Sequence, residues 1–168
     1  GGHGMTSVPD AEFRRVLGSF ATGVAVVTCV ADGIDHAMTA NAVSSVSLRP
    51  PLILVSVART ARFWEAIHAT RQWSVSLLTA VARDHAAWFA TSGRPLQGQL
   101  DRVPHHRGAH GIALLDQSLA WLECRTYQVV PAGDHDIVIG EVESLRMGAD
   151  DPALLYWHST YRALAPES

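Results

Sequence analysis

The sequence has little charge and no concentration of basic residues. Only 17% of its 168 residues are charged, and the net charge is −3 with the nine histidines counted as neutral. Because a nucleic-acid binder needs a basic patch to neutralise phosphates, this balance argues against a nucleic-acid partner. With 48% hydrophobic residues, the chain is expected to be a globular domain with a core of its own.

Long hydrophobic runs and cysteines are also scarce. The longest apolar stretches, such as 23–30, are shorter than the ~18–20 residues of a membrane-spanning helix, and no charged-then-apolar signal pattern occurs. The only cysteines, Cys29 and Cys124, lie in apolar, strand-like runs. Buried thiols in a reducing cytosol are the favoured interpretation, and a disulfide is the alternative. We expect one cytoplasmic domain over residues 5–168, with residues 1–4 as a cloning remnant and no membrane contact.

Several catalytic signatures are missing as well. The sequence has no G-x-S-x-G nucleophile elbow, and neither cysteine lies in a catalytic motif. No G-x-G-x-x-G follows a strand, so any dinucleotide binds outside a Rossmann unit. A metal site of His105, His106 and His110 with Asp134 and Asp136 is a less favoured alternative, because these histidines lack the fixed spacing of zinc sites. We therefore expect no metal.

Strand-like runs outnumber helical ones. Asp10 and Thr60 are expected to cap two helices, and Asp84 begins a third. An Asp-Gly turn at 32–33 predicts a hairpin. Residues 92–111, rich in Gly, Pro, His and Arg, predict a long surface loop that is functional or disordered. Short helices connecting many strands favour a mainly β fold, a barrel with peripheral helices, over a doubly wound sheet.

Two stretches could bind a ligand. Around Arg59, Thr60 and Arg62 a strand leads into a helix N-terminus, whose free N–H groups and two arginines suit a phosphate. An ordinary capped helix with solvated arginines is the alternative there. Apart from Met38 and two valines, residues 38–47 offer only small side chains and hydroxyls. Such a surface lets a flat ligand reach the main chain, although a serine-rich edge strand has the same composition.

His135 stands between two aspartates at the start of an apolar strand-like run. A histidine at a strand end is most often structural. Asp134 and Asp136 would raise its pKa if both stay close to it in space.

Together these stretches resemble the flavin reductase family, which has the FMN-binding split-barrel fold. Its members are the reductase components of two-component flavin-dependent monooxygenases. The resemblance runs from about Phe13 to Leu164, and it rests on five blocks in order. These are "FATGVAVVT" (20–28), "MTANAVSSVSLRPPLILVSVART" (38–60), "SLAWLECR" (118–125), "GDHDIVIGEV" (133–142) and "LLYWHSTYRAL" (154–164).

The resemblance implies an NAD(P)H:flavin oxidoreductase that reduces FMN or FAD with NADH or NADPH. Reduced flavin would then pass to a partner monooxygenase. A non-catalytic flavin-binding or electron-carrier protein of the same fold is the alternative. A pyridoxamine-phosphate-oxidase-like enzyme should carry more basic residues than this chain has. The resemblance also implies a homodimer with flavin near the interface, and the apolar faces of 119–122 and 137–142 are candidates for that contact.

Site residues follow from the same resemblance. The implied flavin contacts are Thr39, Ala40, Asn41, Ser44, Ser45, Val46, Ser47, Ser56, Ala58, Arg59, Thr60 and Arg62, with the phosphate at the last five. The implied nicotinamide contacts are Gly133, Asp134, His135 and Tyr161. His135 is the candidate catalytic residue, and its implied role is to position the nicotinamide. Two departures, Leu96-Gln97 before Gly98 and Ser76 in place of a common asparagine, leave open which flavin is preferred and how the loop covers it.

Overall fold

The computed structural model describes residues 7–165 and 167, and most of this part of the chain is β-structure. Its helices are α1 (Asp10–Leu17), α2 (Arg62–Ala69) and α3 (Arg83–Phe89), with a 3-10 turn at Ala80–Ala82. Its strands are β1 (Thr22–Gly23), β2 (Ala25–Ala31), β3 (Ile34–Ala40), β4 (Val43–Leu48), β5 (Pro51–Ala58), β6 (Gln72–Leu78), β7 (His105–Arg107), β8 (Ala113–Leu115), β9 (Ser118–Ala132), β10 (His135–Met147), β11 (Leu154–Trp157) and β12 (Thr160–Ala163).

The main sheet has seven antiparallel strands in the order β3-β2-β6-β9-β10-β5-β4. Its two edge strands, β3 and β4, are consecutive in the chain and are joined at residues 41–42. The sheet therefore curls so that its edges approach each other without pairing. A three-stranded sheet (β1-β11-β12) and the β7-β8 pair lie beside it.

The barrel interior is filled from several strands at once. Trp73 on β6 is fully buried, as are Val55 and Val57 on β5 and Val138 on β10. A Cβ at Gly140 would overlap the Trp73 ring, so the glycine on β10 makes room for the largest side chain of the core. Buried and half-buried residues alternate along the first half of β10, whereas four successive residues of β6, 73–76, are all buried.

Two predicted helix caps are wrong. Pro9 and Ala61 occupy the N-cap positions of α1 and α2, and neither helix has a side-chain cap. Asp10 is instead the first helical residue, where its charge still complements the helix dipole. Thr60 lies in the preceding turn, which is closed by the Ala61 N–H donating to the Ala58 carbonyl at 3.1 Å.

The predicted loop 92–111 is only partly a loop, because residues 105–107 within it form β7 and pair with β8. Its first half is held by the side chains of Arg94 and Gln99. A three-residue strand has no periodicity of its own, so the sequence gives no sign of β7.

Helix α1 has the predicted helical spacing but covers no core. None of its residues is buried, and Phe13, Val16 and Leu17 are each more than half exposed, as is Phe20, which follows the helix. An eight-residue helix is marginal on its own in water. Its apolar face therefore remains available to a ligand or a partner surface.

Both cysteines are free and buried. Strand β6 lies between β2, which carries Cys29, and β9, which carries Cys124. Two strand spacings of about 4.8 Å each exceed the Cα separation of about 7 Å that a disulfide tolerates. Burial raises the pKa of both thiols to about 12. The buried-thiol interpretation therefore agrees with the structure. None of the described helices is long and apolar enough to cross a membrane.

Candidate functional site

Three neighbouring strands bring the predicted flavin and nicotinamide stretches together. The Ser56 N–H on β5 donates to the carbonyl of Ala42 at 3.1 Å, and Ala58, two residues further along β5, pairs with His135 on β10. Two residues of strand advance about 7 Å. The small-residue stretch and the histidine turn are therefore close neighbours on one side of the sheet.

Strand β4 is an edge strand, and its outer backbone groups have no strand partner within the described residues. Its register with β5 shifts between Ser45 and Ser47, and Ser44 and Ser45 are exposed. Proteins normally cover a bare edge, because unpaired N–H and C=O groups seek partners. This edge is thus free to hold a flat, polar-rimmed ring such as a flavin through its main chain.

A cleft of about 910 Å³ opens beside this edge. Residues 40–44 form one wall, and the Phe13 and Leu17 side chains of α1 form another. The size lies in the range of small-molecule sites, and the alanines leave the backbone accessible. These residues fit the aromatic ring of a flavin.

Two predicted flavin contacts point elsewhere. The Thr39 hydroxyl donates to the Ala86 carbonyl of α3 at 2.5 Å, so it ties β3 to that helix. The Arg59 side chain is turned toward the residues around Gly133 and donates to the Gly133 carbonyl. Among the predicted flavin residues, Ala40, Asn41 and Ser44 line the cleft.

Arg59 is held by the turn before β10. Its backbone N–H donates to the Asp134 carbonyl at 3.1 Å, and its Nη1 donates to the Gly133 carbonyl at 2.6 Å. Its Nε and Nη2 both donate to Asp136 Oδ1, at 3.1 and 3.0 Å. The guanidinium is therefore largely committed to protein groups.

Arg62, in the first turn of α2, has the freer charge. Its Nη1 donates to the Arg94 carbonyl at 2.7 Å, and no carboxylate within the described residues pairs with it. The α2 N-terminus beside it has no side-chain cap. Arg62 and this helix end are the groups best suited to an anionic phosphate.

The segment that supports Arg62 is fixed by Arg94. The Arg94 guanidinium donates to the carbonyls of Thr91 and Ala37 and to Gln99 Oε1. Gln99 is buried, and its own amide donates to the Leu96 carbonyl. These bonds fasten the first half of the predicted loop to β3.

The ring of His135 is oriented by its neighbour. Nδ1 lies 2.7 Å from Asp134 Oδ1. Since an ionised carboxylate only accepts hydrogen bonds, Nδ1 is assigned the proton, and Nε2 is left without a partner among the described residues. The His135 hydrogen bond and charge lower the pKa of Asp134. Gly133 adopts a φ of +61°, which a glycine accepts without strain.

Asp136 does not contact His135, because successive strand residues point to opposite faces. Its side chain is buried, and Oδ2 accepts hydrogen bonds from Trp64 Nε1 at 2.7 Å and faces His68 Nε2 at 3.1 Å. The Trp64 hydrogen bond, followed by contacts with Arg59 and His68, holds the pKa of Asp136 below its ordinary value. The sequence shows Asp136 beside His135 but gives no sign of this cluster, because Trp64 and His68 lie about 70 positions away in the chain.

Tyr161 lies in a different sheet from the strand that His135 begins. It lies on β12 in the small sheet, with its ring centroid 5.3 Å from that of Tyr156, and no hydrogen bond or ring contact in the described residues joins it to residues 133–135. Tyr156 lines the cleft. Among the described residues, the ring contact of Tyr161 is therefore with a residue of the cleft wall.

The loop histidines have separate partners. His105 faces the Val103 carbonyl, His106 contacts Asp116, and His110 contacts Gln72. Across the described part of the chain, no group of three or more His, Cys, Asp or Glu side chains is arranged to hold a metal ion.

Comparison with known proteins decides the family. The protein-family model described as "Flavin reductase like domain" matches residues 17–165 of this chain. The chain belongs to this family.

Named relatives of this chain agree with the assignment to the flavin reductase family. The chain is 39% identical over 155 residues to the NADH-dependent FMN reductase AsuE2 of Streptomyces nodosus subsp. asukaensis, and the match covers 91% of this chain and 84% of that protein. It is 37% identical over 158 residues to the reductase component of the flavin-dependent trigonelline monooxygenase of Acinetobacter baylyi. That match covers 94% of this chain and 50% of the relative, so the chain spans about half the length of this larger protein.

Solved structures of flavin reductases share the fold. BorF, the flavin reductase component of a bacterial two-component tryptophan halogenase, superposes with a TM-score of 0.89 at 38% identity, covering 95% of this chain and all of BorF. The Streptomyces globisporus NADH:FAD oxidoreductase SgcE6, in complex with NAD and FAD fragments, gives 0.88 at 33% identity, covering 97% and 99%. The predicted family, the mainly β split-barrel fold and the flavin reductase function are confirmed, and none of these relatives supports the non-catalytic alternative.

Proposed function

We propose that the protein is an NADH-dependent flavin reductase that takes FMN or FAD as substrate and passes reduced flavin to a separate monooxygenase component. The observation that carries this is the adjacency of the cleft wall and the histidine turn, through the Ala42–Ser56 hydrogen bond and the Ala58–His135 pair. Relatives named as NADH-dependent FMN or FAD reductases and as monooxygenase reductase components support it. The single-domain extent of 5–168 is part of the same proposal.

The protein's task in this reaction is to position two ligands. When bound, flavin and nicotinamide supply the hydride chemistry themselves, so the residues contribute orientation and exclusion of water. The free edge of β4, around Ser44, Ser45, Val46 and Ser47, is available to the polar rim of the flavin. Its N–H groups are suited to stabilise negative charge there. Residues 40–44 leave room for the ring.

The ends of the two ligands are assigned to separate groups. Arg62, with Thr60 and the α2 N-terminus, is proposed to bind the flavin phosphate, while Arg59 is reassigned to the turn that it holds. Gly133, Asp134 and His135 are proposed to meet the nicotinamide, with His135 Nε2 as the group left free for it. Tyr161 is proposed to support the cleft through Tyr156.

We also propose a homodimer that works in the cytoplasm. The two reduced, buried thiols suit a reducing compartment. Apolar side chains at the end of β10, Leu145 and Met147, are 70% and 78% exposed. They are paired in register with Leu122 and Ala120, which belong to the face predicted for the dimer contact. Such an exposed apolar face is typical of a subunit interface.

The function is tested by following the nicotinamide absorbance band with purified protein and each combination of NADH or NADPH with FMN or FAD. We expect flavin-dependent loss of NADH, with flavin released on gel filtration. No flavin-dependent NADH loss, with flavin retained at one per chain, would instead support the electron-carrier alternative.

The role of His135 is tested in the same assay. Removing the ring in His135→Ala should raise the KM for NADH about tenfold, because its oriented Nε2 is lost, while flavin affinity stays within about twofold. His85→Ala, on α3, is the matched control and should leave both the KM for NADH and the flavin affinity unchanged. Equal losses for NADH and flavin would contradict the assigned role.

A further inference from the structure

A buried carboxylate lies behind the turn that carries His135. We propose that Asp136 is a positioning residue for NADH use, which fixes the Gly133–His135 turn by holding the Arg59 guanidinium against it. This inference rests on the proposed role of that turn in binding nicotinamide. No catalytic contact is assigned to Asp136 itself, since its side chain points away from His135.

Arg59 occupies both carbonyls of the turn. Its backbone N–H donates to the Asp134 carbonyl, and its Nη1 donates to the Gly133 carbonyl. Gly133 is in the left-handed region, where a glycine has many conformations to lose on ordering. Two hydrogen bonds from one residue remove that freedom and fix where His135, which follows Asp134, begins β10.

Asp136 fixes Arg59 in turn. One edge of the guanidinium, Nε and Nη2, points at Asp136 Oδ1, so the other edge, Nη1, must face the turn. The guanidinium is planar and rigid, and an orientation imposed on one edge therefore reaches the other. The side chain of Asp136 is 7% exposed and that of Arg59 is 41% exposed. The carboxylate is thus the anchored end of the pair.

The second carboxylate oxygen is anchored independently of Arg59. Asp136 Oδ2 accepts from Trp64 Nε1 and contacts His68 Nε2, both on α2. The Trp64 and His68 rings stack with their centroids 4.1 Å apart. Asp136 therefore makes two separate sets of contacts, the Arg59 arm through Oδ1 and the α2 arm through Oδ2. Only the Arg59 arm connects Asp136 to the turn that carries His135, and this difference makes the proposal testable.

The test compares Asp136→Asn, Arg59→Ala and the double variant in the NADH:flavin assay. Asp136→Asn should raise the KM for NADH about tenfold while the KM for flavin stays within about twofold. If Asp136 acts through Arg59, the KM for NADH of the double variant should be no higher than that of the more impaired single variant. Independent effects that multiply in the double variant, or equal increases in both KM values, would overturn the proposal.

Two controls separate positioning from general stability. Trp64→Phe removes a donor to Oδ2 and leaves the Arg59 arm intact, so the KM for NADH should not change. Asp35→Asn breaks the Arg107–Asp35 pair, in which two guanidinium nitrogens bind one carboxylate, as in the Arg59–Asp136 pair, but elsewhere on the barrel. This variant should not change the KM for NADH either. An increase in either control as large as that of Asp136→Asn would show that the effect is only structural.

A readout without turnover keeps this inference distinct from the proposed function. In ¹⁵N NMR spectra, Asp136→Asn should speed exchange of the Arg59 amide proton and weaken the signal of the His135 Nδ1 proton. Trp64→Phe should leave both unchanged. Unaltered Arg59 exchange and His135 signals in Asp136→Asn would overturn the positioning role even if NADH is consumed. Absence of NADH consumption by the wild-type protein would refute the proposed function. The NMR measurement would then still show whether Asp136 fixes the Gly133–His135 turn through Arg59.

Discussion

At the scale of single residues, the buried Asp136 carboxylate should make stability depend on acid pH. Its contacts with Trp64, Arg59 and His68 hold its pKa below the ordinary 3.8. A carboxyl group with a depressed folded-state pKa stabilises the protein above its unfolded-state pKa, and this contribution is lost as the pH falls through the folded-state value. Wild-type protein should therefore unfold at a higher temperature than Asp136→Asn at neutral pH, and the difference should narrow below about pH 4.

Thermal unfolding followed by circular dichroism between about pH 3 and pH 7 measures this difference. A gap in unfolding temperature that stays constant across the range would mean that the charge of Asp136 does not contribute to folding. A gap that widens toward acid would have the opposite sign from the linkage expected.

Local contacts of the site could be predicted from the sequence, and distant ones could not. Asp134 and His135 are adjacent, so their contact needs only a turn. Phe63 and Ile67 are buried on the inner face of α2, as their helical spacing indicates. The bond from Arg59 to Asp136 spans 77 positions and depends on the register of β5 with β10. No pattern within either stretch specifies that register.

At the scale of elements, Arg94 is expected to hold the segment 91–99 on the barrel. Its guanidinium donates to the carbonyls of Ala37 and Thr91 and to Gln99 Oε1. Hydrogen bonds from a charged group to such acceptors are worth about 2 kcal/mol in net stability. Arg94→Ala should therefore lower the unfolding temperature by about 4–8 °C. It should also raise the KM for flavin, because Arg62 loses the ordered carbonyl that it binds.

Limited proteolysis locates the effect of Arg94→Ala. New cleavage should appear between residues 91 and 103, where the segment is no longer fastened to β3. Arg102→Ala removes an exposed arginine that lies just after the segment 91–99. It serves as the control, with an unchanged cleavage pattern. Cleavage that is equally fast in both variants would contradict the role given to Arg94.

Elements with strong periodicity could be predicted, while those fixed by side chains could not. Alternating residues over 119–130 and the glycine turn at 132–133 indicate the long strand β9 and its partner β10. Strand β7 and the ordering of 91–99 depend on single bonds such as those of Arg94, which leave no periodic trace. Helix α1 shows a further limit, because its spacing predicts a helix but does not reveal that its apolar face is uncovered.

At the scale of the whole molecule, composition and patterning alone predicted a mainly β barrel, while the split-barrel topology came from five sequence blocks in order. The reason lies in the strand order β3-β2-β6-β9-β10-β5-β4. Three of the six neighbouring pairs in this sheet, β2-β6, β6-β9 and β10-β5, join strands that are far apart in the chain. Their pairing depends on long-range packing around residues such as Trp73. Hairpins such as β2-β3 follow from local turns, but the placement of β6 beside β2 does not.

The uncovered apolar face at the end of β10 leads to the last prediction, on assembly. A dimer through this face should have a mass of twice the 18.1 kDa of one chain, measured by light scattering after gel filtration. Introducing charge in the pair Leu145→Glu and Met147→Glu places two carboxylates where the partner would exclude water, so the mass should fall to that of one chain. Val81→Glu, at a residue 68% exposed, adds a similar charge elsewhere and should leave the dimer intact. A dimer that survives the paired change would mean that another surface, such as the open face of α1, makes the contact.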